Sequence, residues 1–277
     1  PPLARDYDVT SVTQRRLNEQ SVQLCVNGLT PGDGRAIYKN VTMDLFNYKR
    51  IRMFISVHGT TLKSSQKIIG FLRIGTDWDQ NYYEIQLPLT ITPPNTNVQS
   101  AVWPEQNQID LALDDLYALK IQRDRNAYPL TVPYPQYGPM LLPDGKHSVR
   151  ILGRPDLSQL KMIMIGIRNP RDGGQSFDAC MWADELRLSG FDQTPGWAAN
   201  VVMSAKLADL GTVTGSYRHI GFGYGGVQTK ISERARSNTN QFDISMNLNL
   251  DKLLPRKTGL KIPMFFSYES IIIDPRY

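Results

Sequence analysis

At 277 residues, 41% hydrophobic and 21% charged, the chain can bury a substantial core and has room for one large domain or two ordinary ones, which excludes a disordered polypeptide. Its net charge of +5 is spread without a basic run, so nucleic acid is not an expected partner. No apolar run reaches the roughly eighteen residues of a transmembrane helix, which leaves open a transmembrane barrel, whose strands are only half apolar.

The chain begins Pro1-Pro2 without a basic-then-apolar leader and stops at Asp274-Pro275-Arg276-Tyr277 directly after a strand-like run. Both ends read as cut from something longer, so a fragment is expected. From Ser21 onward, short alternating runs separated by turn residues predict an all-β, jelly-roll-like sandwich. Val22, Leu24 and Val26 form one apolar face, and Thr30-Pro31-Gly32-Asp33-Gly34 turns the chain into Ala36 to Lys39. Ile51, Met53, Ile55 and Val57 form another, with Arg52, Ser56 and His58 opposite. Ile68 to Ile74 and Tyr83 to Ile91 add two more strands.

One helix interrupts the series, where Ile109, Leu113, Leu116, Tyr117 and Ile121 recur at helical spacing, with Asn107 as N-cap. Asp110, Asp114 and Asp115 precede Lys120, Arg123 and Arg125, which suits the helix dipole. Tyr128 to Pro143, with five prolines among three tyrosines, predicts an ordered loop across the sandwich. Strands resume at His147 to Leu152 and Met162 to Ile167. The run Met181 to Leu188 places Trp182, Asp184, Leu186 and Leu188 on one inward face, where the carboxylate of Asp184 needs a partner. Cys180 shares that face, whereas Cys25 shares the face of Ser21 and Gln23, so the two cysteines are not expected to pair. This last run resembles the closing strand of carbohydrate-binding jelly rolls, in which an acid can help hold a structural calcium.

The tail changes character. Phe242, Ile244, Met246, Leu248 and Leu250 alternate with Asp243, Ser245, Asn247 and Asn249 over about ten residues, the length of a tilted membrane strand. Leu260, Ile262, Met264, Phe266 and Tyr268 repeat the pattern against Lys261, Ser267 and Glu269. A soluble sandwich strand alternates too, so alternation alone leaves both readings open. Upstream, Asn200 to Ala208 and Thr212 to Ile220 flank a turn at Asp209-Leu210-Gly211. Pairing Ala208 with Thr212 puts Leu207 opposite Val213, Met203 opposite Tyr217, Lys206 opposite Thr214 and Ser204 opposite Ser216. One long strand is the alternative. Four strands with a short first turn and a long charged connection carrying Lys230, Glu233, Arg234 and Arg236 put the preceding domain on the extracellular side. A single long strand would invert that.

Motifs for chemistry are few. Gly221-Phe222-Gly223-Tyr224-Gly225-Gly226 matches a dinucleotide pattern formally, but no helix opens after it. His58, His147 and His219 stand alone, and the one carboxylate set for glycoside hydrolysis is Asp178 with Asp184-Glu185. No catalysis, cofactor or metal is expected.

Several stretches together resemble a known family. Met43-Asp44-Leu45 with Tyr48-Lys49-Arg50, Arg73-Ile74-Gly75 with Asn81-Tyr82-Tyr83-Glu84, Ala101-Val102-Trp103-Pro104, Trp182-Ala183-Asp184-Glu185-Leu186-Arg187, and Leu253-Leu254-Pro255 with Ile262-Pro263 and Tyr268-Glu269-Ser270 look like the SprA/Sov family, giant outer-membrane translocons of the Bacteroidetes type IX secretion system, also linked to gliding motility. The resemblance runs from about Leu17 to the end. It implies a wide barrel exporting folded cargo proteins, with the remainder of the same large protein, a PorV-like barrel and a plug as partners.

The expectation is therefore a jelly-roll-like domain over residues 1–190, extracellular, and antiparallel transmembrane β-barrel strands over 191–277 in the bacterial outer membrane. Val201, Met203, Leu207, Val213, Tyr217, Phe242, Ile244, Met246, Leu248, Leu250, Leu260, Ile262, Met264, Phe266 and Tyr268 would face the lipid bilayer. Ser204, Lys206, Thr214, Asp243, Ser245, Asn247, Asn249, Lys261, Ser267 and Glu269 would face the lumen. The alternative is a surface carbohydrate-binding or adhesin module acting through Trp78 or Tyr82.

Overall fold

In the computed structural model, which describes residues 21–63, 65–192, 194–229, 233–255 and 259–275, the alternating runs pair as antiparallel strands. Lys230 and both chain ends lie outside the described residues. The chain divides into two compact units, Pro1–Asp192 and Gln193–Tyr277.

The first unit is a β sandwich. Its strands are β1 (Val22–Leu29), β2 (Gly34–Met43), β3 (Arg50–His58), β4 (Ile69–Gly75), β5 (Tyr82–Pro88), β6 (Ile109–Ala112), β7 (Met140–Leu141), β8 (Ser148–Leu152), β9 (Leu160–Arg168) and β10 (Phe177–Ser189). One sheet runs β1-β10-β3-β6 and the other β2-β9-β4-β5-β8-β7. The pairing is nested: the first strand lies beside the last, the second beside the ninth, the third beside the sixth and the fourth beside the fifth. Alternation drives this, because each strand puts one apolar side inward. Ile51, Met53, Ile55 and Val57 of β3 are buried against Leu72 and Ile74 of β4 and Tyr83, Ile85 and Leu87 of β5 in a single core.

Two short helices lie between β5 and β7, α1 (Gln99–Val102) and α2 (Leu113–Arg125). The expected helix starts late. Ile109 is in β6, paired with Met53 of β3, and Asn107 is not a cap. Its fully buried amide instead clamps the Thr90 backbone, accepting from the N–H and donating to the C=O, both at 2.7 Å. Apolar positions three and four residues apart fit a strand running into a helix as well as one longer helix, and only pairing decides. Within α2, Leu113, Leu116 and Leu119 are buried while Ile121 is exposed. The proline-rich loop is ordered along the sheet edge. Tyr134 exchanges two backbone hydrogen bonds with Ile151 and packs edge-on against Tyr128.

The inward face expected for β10 is wrong over most of its length. Ala179, Met181 and Ala183 face the core, while Cys180, Trp182 and Asp184 lie on the outer side. A bulge between Asp184 and Arg187, with Glu185 at φ 50°, inserts one residue and inverts the phase, so the inward parity of Leu188 cannot be carried back to Trp182. The same correction brings the cysteines together: Cys25 sits directly opposite Cys180, and the two form a disulfide across 155 residues.

The second unit is a meander of β11 (Ala198–Leu207), β12 (Gly211–Ile220), β13 (Ser237–Asn249) and β14 (Pro263–Pro275), paired in sequence order. The first two runs are a hairpin, not one strand. Its turn is a three-residue one, as expected, but lies one residue earlier, at Ala208 to Leu210, so Leu207 is opposite Gly211 and every partner is shifted by two. Leu210 donates to the carbonyl of Leu207, Ala208 takes φ 44°, and Gly211 at φ 151° lies where a Cβ would come within 1.9 Å of the Asn247 carbonyl oxygen. Because the slip is by two, every side chain keeps its face.

Candidate functional site

In an antiparallel sheet, directly opposed residues share a face, so the register of the second unit sorts its side chains into rows. On one face the rows are Leu207, Gly211, Leu248, Met264; then Ala205, Val213, Met246, Phe266; then Met203, Gly215, Ile244, Tyr268; then Val201, Tyr217, Phe242, Ser270. On the other they are Lys206, Thr212, Asn247, Phe265; then Ser204, Thr214, Ser245, Ser267; then Val202, Ser216, Asp243, Glu269. The alternations of four separate strands thus fall into two coherent faces. Ser216 donates to Asp243 at 2.9 Å and Gln241 to Glu269 at 3.1 Å, which knits the polar face together.

No described residue of these four strands is buried. Met203 is 72% exposed and Tyr268 53%, so the apolar face has no cover within its unit. Not every named residue lies in a strand. Leu250 starts a single 3-10 turn after β13, and Leu260, Lys261 and Ile262 belong to the connection before β14, because Pro263 opens that strand. Residues beyond those expected also appear: Phe265, Ile271 and Ile273 put apolar side chains on the polar face of β14, and Thr212 and Arg218 extend its polar rows. The Ile271-Ile272-Ile273 run carries no alternation, so its facing was visible only through pairing.

The outer side of the six-stranded sheet holds a buried charge cluster. Glu84, 1% exposed, accepts from Arg73 at 2.5 Å and from Arg168 at 3.1 Å, and Gln86 donates to it as well. Burial alone would raise the Glu84 carboxyl, but the two guanidinium groups outweigh it and hold it below its ordinary value. Arg73 lies 3.8 Å over the ring of Tyr82, which is buried, so this tyrosine has no free face to offer a sugar. Trp78 is exposed, yet its carbonyl is tied to Arg73.

The remaining candidates are separated. Asp178, which accepts from the Gly28 N–H, and Asp184 lie six residues apart on one side of β10, about 20 Å by strand rise and far beyond a glycosidase pair. Asp184 caps the N–H of Glu185, and Glu185 pairs with Arg187. His147 is held by Asp144, His58 stacks on Trp182, and His219 packs on Trp197. No cluster with metal-binding composition occurs among the described residues. Gly221 and Gly223 bind backbone partners at the foot of the β12–β13 connection, not a helix N-terminus.

No curated protein matches the chain. A family model described as motility related/secretion protein, SprA_N, matches residues 1–277. With a β sandwich leading into a sheet that is apolar on one face and polar on the other, and with that model covering its full length, the chain belongs to the SprA_N family of motility-related and secretion proteins.

Proposed function

We propose that the chain is part of an outer-membrane β-barrel translocon that exports folded proteins by type IX secretion, without catalysis. The observation that carries this is the four-stranded sheet whose exposed faces are apolar on one side and polar on the other. Strands of 10 to 13 residues suffice to cross a bilayer when tilted. The apolar rows then meet lipid, and the rows of Ser204, Thr214, Ser245, Lys206, Asn247, Asp243 and Glu269 line a hydrated wall for passing cargo. The nested sandwich, read as a jelly roll extended by β8 and β7, caps or lines the opening. Its disulfide suits an oxidising compartment outside the cytoplasm. With the three-residue turn at the periplasmic end, the chain enters β11 from outside and the sandwich lies on the extracellular side. The remainder of the barrel, a PorV-like barrel and a plug are its proposed partners.

Arginine scanning tests the wall. Met246→Arg or Ile244→Arg should lower barrel stability by about 2 to 4 kcal/mol near the midplane, read as the loss of heat-resistant gel mobility, while Asn247→Arg should be tolerated. Equal effects from both faces would refute the assignment.

A further inference from the structure

We propose that Trp197, His219, Phe242 and Tyr268 mark the line where the apolar face meets the lipid headgroups, and that this line runs diagonally across the four strands. The inference rests on the membrane reading above and adds depth and tilt to it.

Trp197 continues β11 by one residue pair, since its carbonyl accepts from the Gly221 N–H. Counted along the sheet, these four rings drop by one row per strand from β11 to β14: His219 is opposite Ala199, Phe242 opposite Tyr217, and Tyr268 opposite Ile244. The staircase separates two compositions. On the Leu207 side every residue of this face is apolar or glycine, apart from the Tyr217 hydroxyl. On the other side stand Asn238, Asn240, Ser270 and Asp274, with Ile272 and the glycine Gly221 the exceptions. The hydroxyl of Tyr217 donates to Asn240 at 3.0 Å, and Nδ1 of His219 meets the same oxygen at 2.8 Å, so the polar tips near the line point into the polar zone. Trp197 packs against His219 with the ring centroids 4.0 Å apart and is 60% exposed.

A straight row of rings would suit upright strands, but barrel strands tilt. At about 45° tilt, constant depth drifts by about 5 Å along the chain for each strand crossed, and because only alternate residues share a face, one row is the nearest available step. The amphipathic rings of Trp197 and Tyr268 favour the boundary where one end is apolar and the other wet, His219 sets a ring nitrogen there, and Phe242 fills the row between them as part of an aromatic girdle. The diagonal therefore gives the direction of strand tilt as well as the depth of the sheet.

The test places a nitroxide side chain at one position at a time in the assembled membrane protein and compares its accessibility to oxygen and to a water-soluble nickel chelate. Positions 197, 219, 242 and 268 should give matching ratios, with a severalfold higher oxygen preference at 203 and 246 and a lower one at 240. If the matching set is instead 201, 217, 242 and 270, the diagonal is wrong while the membrane reading stands. If 203 and 246 read as water-exposed, the membrane reading itself fails. Trp197 offers a check without labels: by difference against Trp197→Phe, bromine near the headgroups should quench its fluorescence severalfold more than bromine deep in the chains, and the reverse order would overturn the proposal.

Discussion

Replacing both cysteines, Cys25→Ser with Cys180→Ser, should destabilise the sandwich strongly, and the size follows from chain topology. The bond joins an edge strand to its sole neighbour across 155 residues, so cutting it frees nearly the whole unit in the unfolded state. Loop-closure entropy for a ring of that length amounts to about 5 kcal/mol at room temperature. Serine leaves the native pairing of β1 with β10 in place, because both side chains are on the outer side of the sheet and not in the core. For a unit of this size, each 1 kcal/mol moves the melting point by about 2 to 4 °C, so a drop of roughly 10 to 20 °C is expected. Calorimetry of the oxidised chain and the double variant in the same detergent measures it. A drop of only a degree or two would show that the crosslink closes no large unfolded loop and would refute the reasoning.

Three smaller perturbations probe the same unit. Glu84→Gln should cost about 3 kcal/mol, because two guanidinium groups lose the buried charge between them. Since the Glu84 carboxyl is held below its ordinary 4.5, its contribution is fully present above that pH and disappears as pH falls through the lowered value; the urea-midpoint gap between wild type and variant should close on acidification, and a gap that widens contradicts the sign. Asn107→Ala should cost about 2 to 3 kcal/mol by leaving the Thr90 N–H and C=O without partners, visible as a lower melting temperature. Gly166→Ala should cost about 1 to 3 kcal/mol, since a Cβ would come within 2.3 Å of the Phe71 ring and 2.7 Å of the Ala36 Cβ, and a neutral result in the same melt would show that Phe71 can move aside.

What the sequence carried best was periodicity. Ile51 to Val57 and Phe242 to Leu248 declare their faces by alternation alone, and the two-residue error in the β11–β12 register did no harm because it preserved parity. What it could not carry was anything that breaks phase. The bulge at Asp184 to Arg187 looks in sequence like unbroken alternation, so alternation alone puts Trp182 and Cys180 on the wrong side and hides the disulfide. Asn107 matched an N-cap in composition, while its actual hydrogen bonds go to a backbone 17 residues away that only folding brings near. Phe265 and the Ile271–Ile273 run sit where both faces of β14 are apolar, and there only pairing with β13 assigns a side.

The nested strand order also dictates a sequence of events. A chain made from its amino end presents β1 and β2 early, yet their neighbours β10 and β9 come more than a hundred residues later. Until then both strands wait without a template, and Cys25 is a lone thiol. Such long-range pairing closes slowly and leaves open edges exposed in the meantime. That order favours closure from the β4–β5 hairpin outward, and oxidation can seal the sandwich only once the last strand has arrived.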